Sequence, residues 1–154
     1  MNKEKTKAAI VAAAPESIAP YLRVDCQCDD QEFNRRMVEA IIIALAFIEK
    51  APRVWFDIGV VICDEQVFLQ KGASTMLLLP NPGTMAFCTS DMVVFPRKTL
   101  APLPDWFLVA AALEELAHLV LNIADESLVS RVVCELSKGY LDLNESGAYI
   151  QGAR

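Results

Sequence analysis

The chain carries its only histidine, together with two glutamates, in the apolar run ALEELAHLVL at residues 112–121. Glu114 and His118 are four residues apart, so on a helix both side chains lie on one face and can converge on one point. Glu115 lies about 100° around the same helix from Glu114. A carboxylate buried without a partner costs several kcal/mol or stays protonated, so these side chains need a partner. A bound cation would provide one, because imidazole nitrogen and carboxylate oxygen are both ordinary zinc ligands.

The longer segment EELAHLVLNIADESLVSRVVCEL, residues 114–136, resembles the active-site region of zincin metallopeptidases, in particular the ImmA/IrrE family and similar small gluzincins. In that family one helix carries the motif HExxH, a short loop follows, and a second helix supplies an acidic third zinc ligand. The resemblance covers about residues 30–140, and the motif region is its specific part. It implies an α+β, zincin-like fold in which an N-terminal helix packs on a mostly antiparallel sheet and is followed by a motif helix and a C-terminal helix.

The resemblance assigns roles to individual residues of this segment. Glu115 corresponds to the general base of the family, and His118 corresponds to its second zinc-ligating histidine. Glu126 corresponds to the acidic third ligand, with Asp125 as the alternative. Glu135 falls on a family glutamate that we interpret as structural.

The departure from the family pattern is Glu114, which stands where the family has its first histidine. A zincin uses two neutral imidazoles and one carboxylate, so Zn²⁺ keeps a net positive charge and acidifies its bound water toward a pKa of ~7. With Glu114, His118 and Glu126 as ligands, two of the three would be anionic. Such a ligand set makes the metal a weaker Lewis acid and shifts the preference from Zn²⁺ toward harder ions such as Mn²⁺.

Two functional hypotheses follow from the resemblance. In the favoured one the active site is degenerate, and the protein binds a peptide or protein partner with weak or no hydrolysis. The predicted edge strand at residues 92–95 would then receive an extended peptide by β-augmentation. In the alternative the protein is an active metal-dependent peptidase with an EExxH site. Glu115 would then activate water, and Tyr140 or Tyr149 would stabilise an oxyanion.

Simpler explanations of the same residues stay open. Glu114 and His118 can form an ordinary helical ion pair without any metal. Asp125 is explained as a helix N-cap, and Glu126 by the favourable interaction of a carboxylate with the helix dipole. A di-iron carboxylate bundle would need a second ExxH motif, and the chain has only one histidine. The sequence also contains no GxSxG elbow and no glycine-rich phosphate-binding loop.

The composition limits the class of protein. The chain has 154 residues, of which 54% are hydrophobic and 22% charged, which argues against disorder. Its net charge of -6 argues against nucleic-acid binding, because no basic stripe is available to neutralise phosphates. No apolar stretch reaches the ~20 residues that span a bilayer, and an odd number of cysteines, 5, indicates a reducing compartment. We therefore expect a cytoplasmic protein that binds neither nucleic acid nor a membrane.

Two smaller patterns are interpreted as ordinary structure. Cys26 and Cys28 form a lone CxC, which is a weak signal for metal binding or redox chemistry, and we interpret them as two ordinary thiols. Neighbouring aspartates would raise the pKa of both thiols and disfavour their reactivity. The densest basic pairs, at residues 35–36 and 97–98, are predicted to be solvated surface.

The spacing of apolar residues predicts the first helices. A short helix is expected near the N-terminus, within a segment formed by residues 1–28. A longer helix is predicted at residues 31–50, with Asp29 as its N-cap and Glu32 completing a capping box. The core stripe of this helix consists of Phe33, Met37, Ile41, Leu45 and Ile48.

The pattern of apolar residues in the middle of the chain predicts strands. Apolar residues alternate from residue 54 to residue 62, which predicts a strand. The strand-like segments VFLQ, STMLLLP, TMAFC and DMVVFP follow, separated by the turn-prone sequences KGA, NPG and TSD. Short connections favour antiparallel neighbours, so a meander of about four or five strands is predicted.

Two helices are predicted after the strands. The first spans about residues 106–123 with Asp105 as its N-cap, and it should be packed on most sides because it is apolar on nearly every face. Asp125 is predicted to cap the last helix, residues 126–138. The polar tail at residues 144–154 is expected to be loose. The order of helix, sheet and two helices predicts a single domain of the α+β class for the whole chain.

Overall fold

The computed structural model describes residues 1–49, 56–71, 74–78, 83–89 and 91–153. Within these ranges the chain has an α+β fold. The helices are α1 Lys3–Ala13, α2 Gln31–Ile48, α3 Arg97–Leu100, α4 Asp105–Leu121 and α5 Glu126–Leu136, and a 3₁₀ turn spans Ala19–Tyr21. The strands are β1 Leu22–Cys26, β2 Ile58–Cys63, β3 Val67–Lys71, β4 Ser74–Leu78, β5 Phe87–Cys88, β6 Met92–Pro96, β7 Leu141–Leu143 and β8 Tyr149–Gln151.

The main sheet has four strands in the order β1-β2-β6-β5. β1 pairs with β2 in parallel, β2 pairs with β6 in parallel, and β5 runs antiparallel to β6. The prediction of a mostly antiparallel meander is therefore wrong for this sheet, although it holds for the separate β3–β4 hairpin. Parallel neighbours need a long crossover connection. The chain provides one in α2, between β1 and β2, and another that contains the β3–β4 hairpin, between β2 and β6.

The strand predicted from alternating apolar residues is confirmed at Ile58–Cys63, where β2 lies, but β2 is buried on both faces. Val60 and Ile62 join the core that contains the helices, whereas Val61 and Cys63 join a second apolar cluster with Val67 of β3. The sequence of a strand that is covered on both faces is a near-continuous apolar run, as is typical of parallel sheets. The run IGVVIC of β2 has this character. The predicted strand started at residue 54, which lies outside the described residues.

α2 and α4 pack against each other and form the centre of the core. The predicted stripe on α2 is confirmed, because all five of its residues are buried: Phe33, Met37, Ile41, Leu45 and Ile48. α4 buries ten of its 17 residues, so the expectation that it is packed on most sides is also confirmed. α1 is the expected short N-terminal helix, and it packs against β1 and α2.

The helix ends differ from the prediction by one or two residues. α2 is capped by Asp30, whose carboxylate accepts two backbone N–H bonds from the first turn, so Asp29 is not its N-cap. Pro104 precedes α4, and Asp105 is therefore the first helical residue and not the cap. α5 ends at residue 136, two residues earlier than predicted. No single helix within the described residues is long and apolar enough to cross a membrane.

Arg36 is not the solvated surface residue that the sequence predicted. Its side chain is only 18% exposed, and it bonds to the Asp105 carboxylate at 2.6 Å. The same guanidinium donates to the backbone carbonyls of Ala101 and Leu103 at 2.8 and 2.5 Å. These bonds tie α2 to the segment that leads into α4. Arg35 is exposed, in agreement with the prediction.

Both ends of the chain contribute strands to the fold. Leu22–Cys26, within the predicted N-terminal segment, form β1, a strand that the sequence did not indicate. Residues from Asn144 onward, expected to be loose, form the turn and the second strand of the β7–β8 hairpin. The Asn144 side chain shapes this turn by accepting the backbone N–H groups of Ser146 and Ala148.

Candidate metal centre

The end of α4 and the start of α5 meet at a sharp bend. α4 ends at Leu121, two residues earlier than predicted, because Asn122 adopts the left-handed conformation with φ 52° and ψ 46°. Asparagine tolerates this conformation better than most residues, and its N–H closes the helix on the carbonyl of His118. α5 begins at Glu126 and is inclined at 110° to α4. The bend therefore returns Glu126 to the side of His118.

This bend brings together the three residues that were predicted as metal ligands. The ligand atoms of Glu114, His118 and Glu126 all lie within 4.8 Å of one another. His118 Nε2 is 3.3 Å from Glu126 Oε2. The His118 side chain is 10% exposed and that of Glu126 is 81% exposed. The cluster thus combines a largely buried imidazole with a carboxylate that is open to solvent.

A backbone carbonyl sets the orientation of the His118 ring. Nδ1 lies 2.5 Å from the carbonyl oxygen of Ile123, which only accepts, so Nδ1 carries a proton and donates it to this bond. Metal-ligating histidines generally donate their second ring N–H in this way. Nε2 then faces the Glu126 carboxylate at 3.3 Å, and a metal ion could bind between the two atoms.

Glu114 is half-buried and is held by two hydroxyl groups. The hydroxyl of Tyr149 donates to Glu114 Oε1 at 3.1 Å. The Ser130 hydroxyl lies 3.3 Å from the same oxygen and shares its single proton with the Glu126 backbone carbonyl, which is closer at 2.8 Å. Burial raises the pKa of Glu114, and the hydrogen bond from Tyr149 opposes this effect. Burial also raises the pKa of Tyr149, so its hydroxyl stays protonated and donates. The other candidate tyrosine, Tyr140, packs its ring against Phe47 instead.

Glu115, the predicted general base, lines the same cleft beside the cluster. Burial raises its pKa to about 7, an effect opposed by His118 and reinforced by the charge of Glu114. A carboxyl group with a pKa near neutrality can exchange a proton at neutral pH. Burial, and next the charge of Glu115, also raise the pKa of the Cys88 thiol on β5. Glu115 and Cys88 therefore interact across the cleft.

The cluster lies in an open cleft of about 720 Å³. One wall is formed by residues from β5 and its surroundings, namely Phe56, Ala86, Phe87, Cys88 and Thr89. The opposite wall, from α4 and α5, contributes three glutamates and the histidine. Among the described residues that line the cleft there is no lysine or arginine. The cleft is therefore anionic.

The strand that borders the cleft is β5. The sheet order places β6 between β2 and β5, and Val93 and Val94 of β6 are fully buried. The prediction of an exposed edge strand at residues 92–95 is therefore wrong. Within the part of the chain that the structure describes, β5 has a neighbouring strand on one side only. Phe87 and Cys88 thus form the sheet edge beside the cluster.

Asp125 caps α5 and lies outside the cluster. Its carboxylate accepts the Ser127 hydroxyl and the Leu128 backbone N–H, each at 2.7 Å. These two hydrogen bonds lower the pKa of Asp125. The N-cap prediction is confirmed, and the alternative ligand role of Asp125 has no support in the geometry. Glu135, which the resemblance marked as structural, is exposed on α5.

Cys26 and Cys28 do not line the cleft, and both are buried. Their sulfur atoms lie 3.5 Å from Asn34 Oδ1 and from Asp64 Oδ1, respectively. Burial raises the pKa of both thiols, that of Cys28 to about 11. A thiol that is protonated at neutral pH is a poor nucleophile. The interpretation as two ordinary thiols agrees with these surroundings.

Two groups at the site were not anticipated from the sequence. Ser130 lies four residues after Glu126 on α5, so helical spacing could have indicated that both approach α4. The carbonyl of Ile123 carries no side-chain signal, because its position depends on the left-handed conformation of Asn122. The sequence therefore indicated the candidate ligands but not the groups that contact them.

The four residues predicted for the site thus line one cleft, three as a cluster and Glu115 beside them. The helix that carries EELAH is followed by a short loop and by a helix that begins with Glu126. Comparison of the chain with protein-family models, with curated proteins and with solved structures gives no match.

Proposed function

We propose that the protein is a zincin-type metal-binding protein whose cleft binds an extended peptide segment of a partner, with weak or no hydrolysis. Glu114, His118 and Glu126 would hold a divalent cation, either Zn²⁺ or Mn²⁺. The observation that carries the proposal is the approach of the three ligand atoms to within 4.8 Å of one another.

The spacing of the donor atoms suits a small divalent cation. Zinc bonds of about 2.0–2.1 Å to nitrogen or oxygen, arranged as a tetrahedron, separate neighbouring ligand atoms by about 3.3 Å. The distance of 3.3 Å between His118 Nε2 and Glu126 Oε2 agrees with this geometry. The ligand atom of Glu114 lies within 4.8 Å of the other two, so a small side-chain rotation would complete the set.

The donor set favours binding over efficient hydrolysis. A bound divalent cation supplies Lewis acidity, which polarises a carbonyl group of a peptide. Two carboxylate ligands balance both charges of the ion, whereas a site with two histidines and one carboxylate leaves one positive charge. The Lewis acidity is therefore weaker here, and Mn²⁺ competes better with Zn²⁺ than at a site rich in imidazole.

The position of β5 supports the binding of an extended peptide. Phe87 and Cys88 form a sheet edge in the same cleft as the metal ligands. A peptide that added to this edge by β-augmentation would lie in the cleft that Glu114 and His118 line. Main-chain pairing would provide affinity without requiring cleavage.

The charge of the cleft indicates the chemistry of the partner segment. Three glutamates line the cleft, and no basic residue other than His118 does so among the described lining residues. A bound divalent cation would leave an excess of less than one negative charge at neutral pH, because the pKa of Glu115 is raised to about 7. Like charges across an interface are costly and opposite charges steer association. We therefore infer that the partner segment carries lysine or arginine side chains.

Elemental analysis of tag-free protein tests the metal site. We expect nearly stoichiometric zinc or manganese in the wild-type protein and none in His118→Ala, which removes the buried ligand. Metal-loaded protein should also melt at a higher temperature than EDTA-treated protein. An ion that binds only the folded state stabilises it by about 2.7 kcal/mol at a free concentration of 100 times Kd.

Glu135→Gln is a matched control, since it removes a carboxylate from an exposed position of α5. It should retain the wild-type metal content, whereas Glu126→Gln should lose most of it. Equal metal content in the Glu126 and Glu135 variants would contradict the ligand assignment. Wild-type protein that binds neither ion on titration would contradict the metal site itself.

A second candidate function, an active peptidase, is favoured by the location of Glu115. Its carboxylate lines the cleft beside the cluster, where a general base would have to lie. If the metal-loaded protein cleaves a peptide, Glu115→Gln should lower kcat by about 10²–10⁴-fold and leave the metal content unchanged. Unchanged turnover in this variant would exclude Glu115 as the base.

A further inference from the structure

We propose that Tyr149 is a positioning residue that orients Glu114 for metal binding, an inference that rests on the proposed metal site. The two side chains are 35 residues apart in the sequence, and the Tyr149 hydroxyl donates to Glu114 Oε1 at 3.1 Å. Tyr149 belongs to the C-terminal hairpin β7–β8, which lies outside the segment that carries the motif. The hairpin would thus complete the metal site without contacting the ion.

Tyr149 is the principal hydrogen-bond donor to Glu114, at 3.1 Å from Oε1. The Ser130 hydroxyl lies 3.3 Å from the same oxygen but also donates to the Glu126 backbone carbonyl at 2.8 Å. The bond from Tyr149 therefore does most to limit rotation of the carboxylate group. The second oxygen, Oε2, accepts no hydrogen bond from the described residues and is left for the cation.

A glutamate at position 114 depends on such donors. In an apolar helix a half-buried carboxylate is unfavourable unless hydrogen bonds or a cation replace the lost water. Tyr149 and Ser130 replace water at one oxygen, and a metal ion would replace it at the other. A glutamate at position 114, in place of the zincin histidine, is therefore matched by the neighbouring hydroxyl groups of Tyr149 and Ser130.

The hairpin is fixed well enough to hold Tyr149 in place. β8 packs against α4, and β7 packs against α5. The backbone N–H of Gly152 donates to the carbonyl of Tyr140 at 2.9 Å. A Cβ atom at Gly152 would lie 2.0 Å from the carbonyl oxygen of Gly139, so the end of β8 sits directly on the segment that follows α5. Tyr149 is thereby anchored to both helices of the site.

The test compares the metal affinities of wild-type protein and Tyr149→Phe, which keeps the ring and removes only the hydroxyl group. Kd values for Zn²⁺ and Mn²⁺ are measured by competition with a chromogenic chelator. We expect Tyr149→Phe to bind each ion about 10–100-fold more weakly, as is usual when a partner of a metal ligand is removed. A purely structural role would lower the melting temperature of the metal-free protein and leave Kd unchanged.

Two further variants make the test specific. Tyr140→Phe removes a hydroxyl group close to the same hairpin, on a ring that packs against Phe47, and should bind metal like the wild type. Glu114→Ala removes the ligand that Tyr149 orients. In that background Tyr149→Phe should cause no further loss of affinity, because interacting residues are not additive.

The outcomes separate this inference from the proposed function. Metal binding by the wild type with an unchanged Kd in Tyr149→Phe would overturn the role of Tyr149 and leave the metal site standing. Equal losses in Tyr149→Phe and Tyr140→Phe would also overturn it, since general loosening of the hairpin would then explain both. Absence of metal binding by the wild type would overturn the proposed site and this inference together.

Discussion

At the scale of single residues, Glu114 would decide which metal ion the proposed site prefers. Its carboxylate supplies a second negative charge to the cluster, next to that of Glu126. Hydroxyl donors from Ser130 and Tyr149 stabilise this carboxylate inside a mostly apolar helix. The Glu114 carboxylate therefore has hydrogen-bonding partners that suit it in the folded protein.

Glu114→His is the substitution that tests this view of the ligand set. Imidazole suits zinc better than manganese, whereas carboxylate oxygen suits harder ions. We expect the ratio of zinc to manganese affinity to rise on the order of tenfold in Glu114→His, as measured by chelator competition. Glu135→His adds a histidine to an exposed position of α5 and should leave the ratio unchanged. The same ratio in the wild type and Glu114→His would show that residue 114 is not a ligand.

Spacing in the sequence predicted only those contacts of the site that join residues on the same helix. Glu114 and His118 lie four residues apart on one helix, so their convergence follows from helical geometry. Glu126 was indicated by the resemblance, and the bend at Asn122 places it beside His118. Tyr149 was named for another role, because no spacing rule connects it to a residue 35 positions away.

At the scale of elements, Arg36 positions the helix that carries the site. Its guanidinium joins α2 to the Asp105 carboxylate at the first turn of α4. It also satisfies the carbonyls of Ala101 and Leu103 in the preceding segment. The start of α4 is thus fixed by one largely buried side chain rather than by a side-chain N-cap.

Arg36→Ala should therefore destabilise the protein. Removing the guanidinium leaves two carbonyls and a carboxylate without their donor, and hydrogen bonds to a charged group are worth about 1.5–3 kcal/mol. We expect the free energy of unfolding in urea to fall by about 2 kcal/mol. Arg35→Ala, one residue earlier and exposed, should have a much smaller effect. Equal stability of the Arg36 and Arg35 variants would contradict the role of Arg36.

The helices could be predicted from the sequence and the sheet could not, for a physical reason. The stripe on α2 is a local pattern that repeats every three to four residues, so it shows in the sequence alone. The pairing of Leu22 with Ile58 in β1 and β2 joins strands that are separated by α2, and no local pattern reports it. The sequence LRVDC of β1 also mixes charged and apolar residues and does not resemble a buried strand.

At the scale of the whole molecule, charge governs which partner can approach. The chain carries a net charge of -6, and the cleft adds a local concentration of three carboxylates. A cleft lined by one sign of charge concentrates ligands of the opposite sign and accelerates their association. The basic, extended partner segment that we propose would therefore be attracted both at long range and in the cleft.

Three labelled peptides of equal length, in which apolar residues alternate with Lys, Ser or Glu, test this charge preference by fluorescence anisotropy. The Lys peptide should bind metal-loaded protein on the order of tenfold more tightly than the Ser peptide, and the Glu peptide should bind most weakly. The preference should decline as salt shortens the Debye length from about 10 Å at 0.1 M ionic strength.

Glu115→Gln, which removes a cleft carboxylate, should reduce the preference for the Lys peptide, whereas Glu135→Gln should not. Equal affinity for the Lys and Glu peptides would exclude a basic partner, because it would show that the charge of the cleft does not contribute to peptide binding.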